Sequence, residues 1–125
     1  MSFDWLEYLN VAQELAGQPD RASNEEAKLR SSISRAYYAA FIKARNFLRD
    51  NEGMVISNQP RVHEYVPRQF EQSRDKKRQQ IGYKLRDMRH IRNQADYDDV
   101  VLHLPELSKK TLKLARQVIL RLESL

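Results

Sequence analysis

Apolar residues recur along this chain at three- and four-residue intervals almost throughout, and no stretch alternates like a strand for more than a few positions, so the pattern is helical. Trp5, Leu6, Leu9, Ala12 and Leu15 predict a first helix over Asp4 to Ala16, ended by Gly17 with Pro19 beyond. A second, long helix is predicted from Ser23, with Glu26 three residues on in the form of a capping box, to about Asp50. Its stripe is Ile33, Ala36, Tyr37, Ala40, Phe41, Ala44, Phe47 and Leu48, and Gly53 lies in the loop after it. Pro60 opens a shorter third helix carrying Val62, Val66 and Phe70, with Pro67 inside it as a site for a kink or break. The fourth runs from near Asp75 to Tyr97 on Ile81, Leu85, Met88, Ile91 and Ala95, and Asp98 and Asp99 close it. A last helix follows Pro105 with Leu107, Leu114, Val118, Ile119 and Leu122 as its core face. The expected fold is all-α: an up-and-down bundle of four to five helices with a short, proline-interrupted middle helix.

One residue breaks this pattern. Positions 81, 85, 88, 92 and 95 share a helix face, and the fourth of them is Arg92. Burying an unpaired cation is expensive, so a guanidinium there has to be paired or functional. Asp96, four residues on, is the local partner for an intrahelical ion pair. Asn93 and Tyr97 flank it with an amide and a phenol. Arg35, one turn before Tyr38 on the second helix, belongs to a similar conflict. One reading is structural: Arg92 pairs with an acid, and Tyr37 and Tyr38 pack in the core. The other is a polar pocket on the side of the bundle that holds a phosphate or a ribose edge.

With 125 residues the chain is expected to form one domain, residues 1–125, able to bury roughly two-thirds of its unfolded surface without staples. Cysteine is absent, which removes disulfides, cysteine nucleophiles and cysteine metal sites. His63, His90 and His103 form no i,i+4 pair, so no zinc helix motif exists and no metal or cofactor is expected. No glycine-rich phosphate loop and no Gly-x-Ser-x-Gly elbow occur. The first residues lack the basic and apolar regions of a signal peptide, and no segment approaches the roughly 20 apolar residues of a membrane span, so a cytoplasmic protein without a membrane partner is expected.

The net charge of +5 is concentrated. From Arg74 to Arg92 stand eight basic residues (Arg74, Lys76, Lys77, Arg78, Lys84, Arg86, Arg89 and Arg92) against Asp75 and Asp87 only, which makes the rest of the chain −1. Such a field suits a polyanion or an acidic partner, and equally a solvated helix face.

Two segments carry a resemblance. Ser34-Arg35-Ala36-Tyr37-Tyr38-Ala39-Ala40-Phe41, with Ala44 and Phe47-Leu48, resembles the second helix of HEPN domains (higher eukaryotes and prokaryotes nucleotide-binding). Arg89-His90-Ile91-Arg92-Asn93-Gln94-Ala95-Asp96-Tyr97-Asp98 resembles the Arg-Asn-x-Ala-Asp-Tyr segment of the same family, and Val62-His63-Glu64-Tyr65-Val66 with Phe70 resembles its short middle helix. The resemblance implies a helical bundle, commonly a homodimer. It implies either metal-independent endoribonuclease activity or a role beside a small nucleotidyltransferase in a toxin–antitoxin or defence module. It marks Arg92, Asn93 and Tyr97 as the catalytic positions, with Asp96 beside them; Arg35 and Tyr38 of the side pocket and Arg86 and Arg89 of the basic helix join Asp96 as the expected binding residues for RNA or a nucleotide. The ribonuclease members carry a histidine after the arginine, where this chain has Tyr97. An imidazole exchanges protons near neutral pH, whereas a tyrosine titrates near ~10, so Tyr97 suits hydrogen-bond donation better than base catalysis. A purely structural dimeric interaction module is the remaining alternative.

Overall fold

The structure, a computed structural model, describes residues 3–17 and 22–125, the side chains of residues 22–24 excepted. Five helices follow in order: α1 (Leu6–Gly17), α2 (Ala22–Glu52), α3 (Val62–Glu71), α4 (Lys76–Tyr97) and α5 (Leu104–Glu123). The all-α bundle is as the periodicity predicts, and no described residue lies in a strand. Pro19 and the Ser23 side chain of the expected capping box lie outside the described residues.

Local chemistry fixes the ends. The Asp4 carboxylate accepts from Leu6 N–H at 3.0 Å and opens α1. Asp75, in extended conformation, caps α4 by accepting from Lys77 N–H at 3.1 Å. α3 runs on through Pro67 to Glu71. α5 starts one residue ahead of Pro105, behind His103, which adopts the left-handed conformation at φ 59°.

α2 is the axis of the molecule and touches all four other helices. Cross-links between chain-distant residues give the directions. Arg78 at the start of α4 pairs with Glu52 at the end of α2 at 2.7 Å, while Arg30 near the start of α2 reaches the end of α4, so the two run antiparallel. Arg121 donates to Gln80 at 3.1 Å, which sets α5 antiparallel to α4. Ser32 on α2 donates to the Ala12 carbonyl at 2.7 Å and accepts from Ser108 on α5 at 3.4 Å, satisfying polar groups at an otherwise apolar seam. The predicted stripe of α2 is buried, with Phe47 half-buried, and Ala39 and Ile42 are buried as well. The buried face of α5 is wider than its large apolar residues predict, because Ser108, Thr111 and Ala115 also pack inward.

α3 lies tightly on α4 because residue 82 is glycine. A Cβ there would stand 2.7 Å from the Pro67 carbonyl oxygen and 2.5 Å from Glu71 Cγ. That close approach carries His63, four residues before Pro67, onto the same side of the bundle as Arg92.

Candidate functional site

The α4 face that the spacing defines is buried as a whole: Ile81, Leu85, Met88, Ile91, Arg92 and Ala95. Arg92 is 7% exposed. Its guanidinium stands over the rings of Tyr37 and Tyr38, 5.0 and 5.4 Å from their centroids. Nη1 donates to the Tyr38 hydroxyl at 3.4 Å and lies 3.6 Å from Asp96 Oδ2, the intrahelical partner that the sequence suggests. Both contacts are long beside the roughly 2.7–2.9 Å of a good charge-assisted hydrogen bond. Among the described residues, Arg92 Nε is the one buried side-chain nitrogen or oxygen with no hydrogen-bond partner. A guanidinium has five donors and no acceptor, so this cation is sheltered by π-faces and under-supplied with acceptors.

α2 and α3 complete the surround. The Tyr37 hydroxyl and His63 Nδ1 are 2.7 Å apart. The imidazole stacks on Phe41 with centroids 4.4 Å apart and meets Tyr38 edge-on at 5.9 Å. Burial raises the Tyr37 pKa above its ordinary value, against the opposing charges of Arg92 and Arg89. His63 is pushed down to about 4, by burial first and then by the Arg92 and Arg89 charges. Both rings are therefore neutral at pH 7.

The end of α4 is held from outside. Arg30 Nη1 donates to the carbonyls of Ala95 at 2.9 Å and Asp98 at 2.7 Å, and its Nη2 to that of Asp99 at 3.3 Å. One α2 side chain thus satisfies carbonyls that the helix terminus leaves open, at the negative end of its dipole. It fixes the backbone that bears Asp96 and Tyr97.

The site residues read from sequence divide into those that meet and those that do not. Arg92, Tyr38 and Asp96 come together. Arg89, half-buried, adds its charge to Tyr37 and His63. Asn93 is half-buried on the turn of Arg92. Tyr97 is 74% exposed at the end of α4, away from these contacts. Arg35 sits on the other side of α2, its guanidinium 4.9 Å over the Tyr8 ring of α1. Arg86 is bound to Glu71 of α3 at 2.5 Å, and His90, four residues after it, is exposed. Arg30, Tyr37 and His63, which the sequence does not mark among the expected site residues, belong to this surround. The spacing of His63 from α2 holds no signal, since its contact spans 26 residues and depends on how α3 lands.

No described helix is long and apolar enough to cross a membrane. Compared with known proteins, the chain finds no match among curated proteins or solved structures. The family model described as HEPN domain matches residues 19–125, which takes in α2 to α5 and every residue of the Arg92 surround, and it supports nucleotide- or RNA-directed function in general. The chain belongs to the HEPN domain family.

Proposed function

We propose that this protein binds a phosphate of RNA or of a nucleotide at Arg92. The observation that carries the reading is the under-supplied guanidinium: buried to 7% exposure, with a bare Nε and no close carboxylate, its polar contacts being the Tyr38 hydroxyl at 3.4 Å, Asp96 at 3.6 Å and the Tyr37 hydroxyl. A phosphate presents the acceptors this cation lacks, and bidentate Arg–phosphate pairing is strong. Arg89 and Lys84, half-buried and with no carboxylate within ion-pair distance among the described residues, extend the positive surface along α4. In this reading the active form is a cytoplasmic homodimer, supported by the exposed Tyr97, the last residue of α4, and the exposed Val100 and Leu102 that follow it in sequence. It works beside a small nucleotidyltransferase in a toxin–antitoxin or defence-like module, as its family membership suggests. Endoribonuclease action is the second reading. For it, Arg92 supplies transition-state charge, Asn93 orientation and Tyr97 a proton, but the exposed Tyr97 must first be brought inward.

The test is fluorescence anisotropy with a labelled single-stranded RNA oligomer. Arg92→Met keeps the stem over the tyrosine rings and removes the charge. Binding by the wild type and a loss of roughly tenfold or more in the folded variant is the expected result. Equal affinity overturns the reading. The same oligomer, incubated with wild type and Tyr97→His, reports cleavage. A gain in Tyr97→His alone places the tyrosine at the position of a lost acid–base group.

A further inference from the structure

His63 has a proton arrangement that its neighbours dictate. The Tyr37 hydroxyl is fully buried, keeps its proton, and lies 2.7 Å from His63 Nδ1. The other polar groups around this ring are the Arg92 and Arg89 guanidiniums, which only donate, and the Tyr38 hydroxyl, which accepts from Arg92. The hydroxyl proton therefore goes to Nδ1, which must be the bare nitrogen of a neutral imidazole. The ring hydrogen is then on Nε2. No partner to Nε2 occurs among the described residues, and this atom is not among the buried groups lacking one. The half-buried imidazole consequently offers Nε2–H to solvent.

Arg92 and His63 share their supports. The guanidinium lies over the faces of Tyr37 and Tyr38, and the imidazole stacks beside Tyr37 at 5.8 Å and meets Tyr38 edge-on. The same rings thus hold two donor groups from different helices, Arg92 Nε–H and His63 Nε2–H, neither of which has a hydrogen-bond acceptor among the described residues.

We propose that His63, fixed in its Nε2–H tautomer by Tyr37, is a second phosphate-binding residue of the Arg92 site and donates to a phosphate oxygen of the bound RNA or nucleotide. This rests on the phosphate-binding reading above. His63 is a neutral donor here, so it adds direction without adding a third positive charge beside Arg92 and Arg89. Tyr37 is a positioning residue that acts through the imidazole.

The experiment uses the full chain, an eight-nucleotide oligouridine and uridine monophosphate, with nitrogen-detected histidine NMR alongside anisotropy and competition. In the free protein the His63 nitrogen shifts report hydrogen on Nε2, and Tyr37→Phe abolishes that preference. Either probe shifts the His63 Nε2–H signal; a response to the oligomer alone assigns the site to chain phosphates, and a response to both admits free nucleotides. His63→Phe, which keeps the stacking on Phe41, weakens binding about tenfold or more, the worth of one hydrogen bond to a charged acceptor. His63→Gln, which retains an N–H donor, recovers most of that loss. Wild-type affinity in folded His63→Phe, or a hydrogen found on Nδ1, overturns the role of His63 while Arg92 binding stands. Absence of binding by the wild type overturns both.

Discussion

Arg92 occupies a position that the three-and-four spacing reserves for an apolar side chain, and the surrounding residues accommodate it with aromatic faces instead of a close carboxylate. The conflict was legible in the sequence, because helix periodicity alone puts residue 92 on the face of Ile81, Leu85 and Met88. The Asp96 contact was legible for the same reason. His63 was not, since nothing in the neighbourhood of residue 63 says which α2 side chains it meets. Its environment has a consequence for stability. The unfolded chain takes up a proton at this ring near 6.5, the folded chain only near 4. The unfolded state therefore binds more protons in that window, and the stability contributed by a neutral His63 is complete above it and lost as pH falls through it. Groups facing the ring are Arg92 and Arg89 from α4 and Tyr37, Tyr38 and Phe41 from α2, with no carboxylate among them to favour the imidazolium. Thermal denaturation at pH 7 and pH 4.5 should show a larger fall in midpoint for the wild type than for His63→Phe. Equal falls would mean that His63 does not titrate in this window.

The helices themselves were largely readable, and their placement was not. Periodicity put α4 at its observed bounds to within a residue, and Asp75, where the helix is expected to begin, is its cap. The exposed position of Tyr97 and the turning of Arg35 toward α1 depend on which side of α2 each neighbour covers, and that is decided by long-range packing. Ser108 and Thr111 look like surface residues in sequence, yet they pack inward because their hydroxyls find Ser32 and the Leu107 carbonyl. Gly82 reads as a weak point in a helix and is the closest approach of α3 to α4. Its lack of a side chain is a packing requirement, since the nearest obstacle besides Glu71 Cγ is backbone that cannot swing away. Gly82→Ala adds a methyl group and helix propensity, but forces α3 off α4. The expected net effect is a destabilisation of about 1–3 kcal/mol by chemical denaturation, together with perturbed His63 signals. A stabilised variant would show that α3 can shift at little cost.

Over the whole molecule, the basic run from Arg74 to Arg92 is less free than its charge count suggests. Arg78 is bound to Glu52 and Arg86 to Glu71, so two of its cations serve the packing of α4 against α2 and α3. Lys84 lies near Arg121 and Lys113 of α5, whose charges, after burial, lower its pKa. A small positive region of α4 and α5 thus remains around Lys84. Single-stranded RNA that engages Arg92, Arg89 and Lys84 should lose affinity with a log–log salt slope of about −2, near −0.7 for each phosphate neutralised. A slope near zero would remove the electrostatic component. The most direct test of the account follows the Nε–H proton of Arg92 by NMR while the oligouridine is added. That group is buried and has no partner in the free protein, so occupation by a phosphate must move its signal and slow its exchange with water, in step with the binding isotherm. RNA that binds with the Arg92 Nε–H signal unmoved, and shifts only residues of the exposed basic surface, would contradict a phosphate site at Arg92.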